Sequence, residues 1–125
     1  MKIFLDTSVL SDEKLSALTE DVVSHRSKGD QFFVSSITHF EILWGYLTAH
    51  QSPQNYEEFL RAIPVEVVPL TRHGAEHAAE LKPAVVQVLD ALIASTVRKY
   101  DGKIWTFDSD FLKFLPKTSV RILGR

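Results

Sequence analysis

The sequence predicts an α/β domain: a mainly parallel sheet with helices on both of its faces. Short apolar runs at residues 3–5, 32–34, 65–68, 103–106 and 120–123 are separated by longer stretches with helical periodicity, giving the order β-α-β-α-α-β-α-α-β-α-β. Two of these runs pass straight from a strand into hydroxyl and carboxylate residues: Ile3-Phe4-Leu5-Asp6-Thr7-Ser8 and Lys103-Ile104-Trp105-Thr106-Phe107-Asp108. In open α/β sheets the rim outside the carboxyl ends of the strands is where ligands bind, so both aspartates are placed on that rim.

The elements follow in order. Residues 3–5 form a first strand buried on both faces. Leu15, Leu18 and Val22 recur at helical spacing and predict a helix to about His25, followed by a turn at Gly29-Asp30. After the strand 32–34, Ile37, Phe40, Trp44 and Leu47 mark one helical stripe, assigned to the core. Thr38 and Glu41 fit a capping box, with Thr38 as N-cap and Glu41 reaching back. Ser52 as N-cap and Pro53 as first helical residue open a third helix, whose face is Tyr56, Phe59, Leu60 and Ile63. Pro64 ends it, and strand 65–68 follows, limited by Pro69. Thr71 caps a helix over 72–82, which Pro83 ends or kinks. Leu89, Leu92, Ile93 and Thr96 form the stripe of a helix to about Tyr100, stopped by Asp101-Gly102. A short helix at 111–115, closed by Pro116, precedes an edge strand at 120–123.

A length of 125 residues suits one domain spanning 1–125, with 45% hydrophobic and 24% charged residues as in ordinary globular proteins. The absence of cysteine excludes disulfides and thiolate metal sites and fits a cytoplasmic protein. No signal-peptide pattern is present, and no apolar run approaches the roughly 20 residues that span a membrane. The glycine-rich loops of nucleotide sites are also missing. A net charge of −2 conceals an asymmetry: residues 1–97 hold 7 basic and 13 acidic side chains, and residues 98–125 hold 7 basic and 3 acidic. The basic set is Arg98, Lys99, Lys103, Lys113, Lys117, Arg121 and Arg125. Such a region beside an acidic pocket suits a polyanion.

Four carboxylates stand at element ends: Asp6 and Asp108 after strands, Glu41 and Asp90 in early helix turns. Each alone has a capping or helix-dipole explanation. Together they point elsewhere. Asp6 and Asp90 are embedded in apolar sequence, where an unpaired charge is costly, and clustered carboxylates raise one another's pKa values. A divalent cation such as Mg²⁺ or Mn²⁺, which prefers oxygen ligands, removes both problems. One or two such ions can also bind a phosphodiester and activate water.

At these residues the chain resembles the PIN domain family. "FLDTSVL", "SSITHFEIL", "LDALIAST" and "WTFDSDFL" are similar to its four signature blocks, in the family's order and across nearly the whole chain. The subgroup it most resembles is the small single-domain VapC-type toxins. The resemblance implies a strand order of 3-2-1-4-5 and Mg²⁺- or Mn²⁺-dependent endoribonuclease activity leaving 5′-phosphate and 3′-hydroxyl ends. Asp6, Glu41, Asp90 and Asp108 match the family's acidic quartet, as metal ligands and catalytic residues. Thr7 and Thr106 match hydroxyls that orient them. Asp110 is an additional or substitute ligand; Asp108 is favoured because it follows the strand more closely. The apolar lead-in Val85-Val86-Gln87-Val88-Leu89 departs from the family's pattern and leaves the start of the Asp90 helix open. The resemblance further implies a cytoplasmic homodimer, an RNA substrate and a small antitoxin covering the acidic site. The region of Phe40, Trp44 and Tyr46 is a candidate surface for that partner, with core packing the favoured role for most of it.

Two other classes compete. A degenerate fold could bind RNA or protein without cutting, although binding alone does not require four inward carboxylates. His73-Gly74-Ala75-Glu76-His77 matches the HxxEH zinc-peptidase motif, but Gly74 weakens the helix and no third ligand is marked out.

Overall fold

The computed structural model describes residues 1–84 and 87–124. Five strands form one parallel sheet in the order 3-2-1-4-5: β1 (Lys2–Leu5), β2 (Gln31–Ser35), β3 (Glu66–Val68), β4 (Lys103–Thr106) and β5 (Val120–Ile122). Among the described residues five α-helices join the first four strands, α1 (Asp12–Arg26), α2 (Ser36–Thr48), α3 (Gln54–Ala62), α4 (Arg72–Glu80) and α5 (Val88–Lys99), and 3₁₀ turns lead from β4 to β5. None of the helices among the described residues is long and apolar enough to cross a membrane. Val85 and Val86 of the apolar lead-in, and Arg125 of the basic set, lie outside the described residues.

Side chains alternate across a strand, so an uninterrupted apolar run feeds two cores. On one face Ile3, Leu5, Phe32, Val34 and Trp105 pack with residues of α1 and α3 such as Leu18, Val22, Tyr56 and Phe59. On the other, Phe4, Phe33 and Ile104 pack with Ile93, Ala94 and Val97 of α5 and with Phe111. Each such large side chain, fully buried, contributes roughly 1.5–3 kcal/mol. The central strand β1 is thereby sealed above and below, and its neighbours β2 and β4 close its edges.

Four local expectations are corrected. The N-cap of α2 is Ser35, whose side chain accepts from the Thr38 amide at 3.0 Å, so there is no Thr38–Glu41 capping box. Glu41 is thereby released for another partner. Of the stripe Ile37, Phe40, Trp44 and Leu47, Ile37 packs against a core but the other three do not. Phe40, Trp44 and Leu47 are 57%, 61% and 64% exposed, while Thr38 and Ile42 are buried. The helix is apolar around most of its circumference (SITHFEILWGYLT), so periodicity alone does not orient it. Pro53 is itself the N-cap of α3, with the Ser52 hydroxyl accepting from the Gln54 amide at 3.3 Å. The short helix after β4 is a 3₁₀ turn over Ser109–Lys113.

The turn between α5 and β4 divides its labour unexpectedly. Asp101 takes the left-handed conformation at φ 52°. Gly102 is needed for space: a Cβ there would lie 3.1 Å from the Lys2 carbonyl oxygen and from the Phe4 ring. Gly102→Ala should therefore destabilise the fold by about 1–3 kcal/mol, as over-packing does. Urea unfolding checks this, and an unchanged midpoint would show that the turn has room.

Candidate metal centre

Asp6 sits one residue beyond β1. Its amide donates to the Trp105 carbonyl at 3.1 Å, carrying the β1–β4 ladder one step past the strand and onto the rim. Residue 6 is only 5% exposed, so its charge must be met by donors. All of them converge on one oxygen. Oδ2 accepts from the Ser8 hydroxyl at 2.8 Å, the Thr106 hydroxyl at 2.8 Å and the Ser8 amide at 3.4 Å. Among the described residues Oδ1 has no protein donor.

The same hydroxyls tie the second strand end to the first. Thr106 Oγ1 accepts from the Asp108 amide at 2.9 Å, and Ser8 Oγ accepts from the Phe107 amide at 2.9 Å. Lys14, reaching from α1, donates to the Ser8 carbonyl at 3.0 Å and lies over the Phe107 ring, 4.0 Å from its centroid. The Asp108 side chain accepts from the Asp110 amide at 2.8 Å, so it caps the 3₁₀ turn and also stands on the rim. Glu41, freed from helix capping, accepts from the Thr7 hydroxyl at 2.7 Å.

Asp90 lies in the first turn of α5, half-buried. Asp90, Asp108 and Asp110 each offer a carboxylate oxygen within 4.8 Å of the other two. Like charges about 5 Å apart at an effective dielectric near 20 repel by about 3 kcal/mol. The 3.2 Å ion pair of Lys113 with Asp110 is an exposed one of the kind worth at most about 1 kcal/mol, and does not offset this. Burial first, then the charges of Asp6, Asp108, Glu41 and Asp110, push the Asp90 carboxyl up to about 7. Glu41 is also raised, chiefly by burial, against the opposing Thr7 hydrogen bond.

This donor set fits a hard divalent cation. Every candidate ligand is a carboxylate, those of Asp90, Asp108 and Asp110 converge within 4.8 Å of one another, and among the described residues Asp6 keeps an oxygen without a protein donor. The tight trio is Asp90, Asp108 and Asp110. Asp6 and Glu41 border it closely enough to raise Asp90, without joining it at that spacing. Of the two hydroxyl residues after Asp6, Thr7 serves Glu41, and Ser8, given no role from the sequence, serves Asp6. The signal for Ser8 was its place two residues after a buried aspartate, the spacing of an Asx-type turn.

The HxxEH residues lie on α4, away from this rim. Glu76 is paired with Arg72 at 2.9 Å, and among the described residues His73 and His77 join no third ligand.

A parallel sheet ordered 3-2-1-4-5 with converging carboxylates on its carboxyl rim defines a class: an α/β domain with an acidic, cation-receptive cleft. The chain belongs to the PIN domain family, whose model matches residues 3–114. No curated protein sequence matches it. Among solved structures it is similar to VapBC2 from Rickettsia felis, bound to a DNA fragment from their promoter, at 18% identity and a TM-score of 0.65 over 97% of this chain and 98% of that one. It is also similar to VapBC-1 from nontypeable Haemophilus influenzae, at 20% identity and a TM-score of 0.64 over 97% of each chain. A toxin–antitoxin complex from Klebsiella pneumoniae aligns at 18% identity and a TM-score of 0.61 over 95% of each chain.

Two outcomes are expected. Thr106→Val keeps the shape but removes a donor to the buried Asp6 carboxylate, and should cost about 1.5–3 kcal/mol in urea unfolding. For Asp90, a folded pKa above the unfolded one means that its stabilising contribution is complete at low pH and is lost as pH rises through about 7. In EDTA, Asp90→Asn should gain stability over wild type by about 1–2 kcal/mol between pH 4 and pH 8, less than full linkage because the group is half exposed. Equal pH profiles for the two proteins would contradict this crowding.

Proposed function

We propose that this protein is a Mg²⁺- or Mn²⁺-dependent endoribonuclease of the VapC type, the toxin of a toxin–antitoxin pair. The observation that carries the proposal is the convergence of Asp90, Asp108 and Asp110 beside Asp6 and Glu41 on the carboxyl rim of a PIN domain. The cluster has the composition of a site for hard cations, not of a pocket for a neutral ligand.

Asp6, Glu41, Asp90 and Asp108 are assigned as the ligands of one or two ions. Asp110 joins them, because its carboxylate stands within the same 4.8 Å group as Asp90 and Asp108. When bound, a divalent cation supplies Lewis acidity toward a phosphodiester and its attacking water. The protein's own part is preorganisation. Ser8 and Thr106 fix the Asp6 carboxylate through Oδ2, which leaves Oδ1 without a protein donor among the described residues. Thr7 fixes Glu41, and the Asp110 amide fixes Asp108. Asp90, raised to about 7 by burial and by the neighbouring charges, would hold the cation as its carboxylate.

The solved structures it resembles were determined as toxin–antitoxin complexes, which supports an antitoxin partner here. On this chain the fitting surface is the exposed Phe40, Trp44 and Leu47 of α2 together with a groove between α2 and the start of α1. That groove of about 510 Å³ is floored by Leu10, Ile42 and Tyr46 and rimmed by Asp12, Glu13 and Glu41, suiting a partner segment with apolar and basic residues. A homodimer is assigned by family likeness.

Purified protein should cut a structured RNA pool in Mg²⁺ or Mn²⁺ and not in EDTA. Asp6→Asn should fall to background with its fold intact. Ser8→Ala, which loosens the Asp6 carboxylate without removing it, should cost about 10- to 100-fold. Full activity of Asp6→Asn would sink the site, and metal-dependent RNA binding without cutting would leave a non-catalytic module.

A further inference from the structure

The acidic rim leaves the protein's most concentrated basic feature unexplained. Of the basic residues near the C-terminus, two are already committed. Arg121 pairs with Asp21 at 3.1 Å and stacks on Trp105, 4.3 Å from the ring centroid, and Lys113 pairs with Asp110. Lys103 opens β4 on the rim opposite the carboxylates. Like Lys117, Arg98 and Lys99 are exposed and among the described residues have no carboxylate within ion-pair distance; unlike it, they stand side by side at the end of α5, with Lys99 5.9 Å from the Tyr100 ring centroid.

They are not scattered on a convex surface. Arg98 and Lys99 line a cavity of about 310 Å³ between α4 and α5, with His73, Gly74, His77 and Ser95 as the other walls. No acidic side chain lines it. The neighbouring acid on α4, Glu76, is held by Arg72. The pocket has a built floor. Ser95 is 2% exposed, and its hydroxyl donates to the Gly74 carbonyl at 2.6 Å. With that proton spent, its contact with His77 at 3.4 Å leaves the imidazole Nδ1–H as the donor. The His77 ring is thus fixed against the floor. Gly74 packs against Ser95: a Cβ there would lie 3.5 Å from Ser95 Oγ, in ordinary contact.

The charges also decide between ligand classes. Two histidines four apart on a helix suit a metal ion, but an approaching cation would meet Arg98 and Lys99 with no carboxylate to offset them. An anion meets two permanent positive charges, one of them a guanidinium shaped for phosphate oxygens. We propose that this pocket is a phosphate-binding site, distinct from the carboxylate centre, in which Arg98 and Lys99 donate to a phosphoryl group and His73 and His77 line the wall beside it. Arg98 lies eight residues along α5 from Asp90, about 12 Å of helix rise. The phosphate belongs to the backbone of an RNA strand that also reaches the carboxylates, or to a small phosphate compound. The first source rests on the ribonuclease reading; the pocket itself does not.

Inorganic phosphate is titrated into the full-length protein in EDTA at constant ionic strength, with chloride as the balancing anion, and the histidine ring resonances are followed by NMR. Saturable shifts are expected for His73 and His77 and not for His50, which lies between α2 and α3. The double variant Arg98→Ala/Lys99→Ala should lose them while keeping its unfolding midpoint, since both side chains are exposed. In the Asp6→Asn background, the same double change should weaken RNA binding about tenfold and reduce the salt slope by about 1 to 2 if the source is RNA. Unaltered RNA affinity with lost phosphate shifts assigns the pocket to a small phosphate compound. Absence of saturable shifts, or their persistence in the double variant, overturns the proposal. Intact shifts in a protein that cuts no RNA in Mg²⁺ or Mn²⁺ would sink the nuclease and leave the pocket.

Discussion

A buried aspartate at the end of the central strand constrains the rest of this structure. Asp6 is nearly inaccessible, yet it stands where β1 leaves the sheet, between two apolar cores. An unmet charge there would cost several kcal/mol. Ser8 and Thr106 meet it with hydroxyls from two different segments, so the end of β4 must lie beside the end of β1. The parallel pairing of Phe4 with Ile104 and Leu5 with Trp105 sets that register. A slip of one residue would move Thr106 to the other face and strip the aspartate of a donor.

Neutral donors orient most of the acidic cleft, and Lys113 pairs only with Asp110. Hydroxyls and amides orient Asp6, Glu41 and Asp108, but none of them removes the burial and the neighbouring charges that raise Asp90. The fold therefore keeps a local electrostatic conflict of the kind that a bound divalent cation would relieve. Stability of the surrounding scaffold tolerates this because the two apolar cores seal the sheet independently of the rim. The positive pocket between α4 and α5 lies on a separate pair of helices, so opposite fields are presented by one small domain without neutralising each other.

The four blocks that carry the family likeness were legible because each is a local pattern: a short apolar run, then an acid or hydroxyl. They placed Asp6 and Asp108 after strands and Asp90 in the first turn of a helix, where the structure has them, whereas Glu41 stands in the second turn of α2. Local pattern failed at α2. Thr38 and Glu41 have the spacing of a capping box, but Ser35 ends the strand three residues earlier and takes the Thr38 amide. The apolar stripe through Phe40 and Trp44 has the right period for a core face, yet Ile42 faces inward instead. Period gives the pitch of a buried face and not its direction when both sides of a helix are apolar. The HxxEH residues failed for the converse reason: the spacing is local, but a metal site needs a third ligand from elsewhere, and α5 brings cations and a serine.

By itself the sequence determined the order of strands and helices, the apolar runs that fill two cores, and the residues that end the strands with carboxylates. These are consequences of periodicity and of side-chain chemistry along the chain, which need no knowledge of distant neighbours. Tertiary structure decided which hydroxyl serves which acid, that Asp110 closes with Asp90 and Asp108, that α2 turns its largest apolar residues outward, and that Arg98 and Lys99 meet His73 and His77 in one pocket. Each of those depends on distances between segments far apart in sequence. Such distances are fixed only when the helices settle on a sheet whose register is set by buried strands.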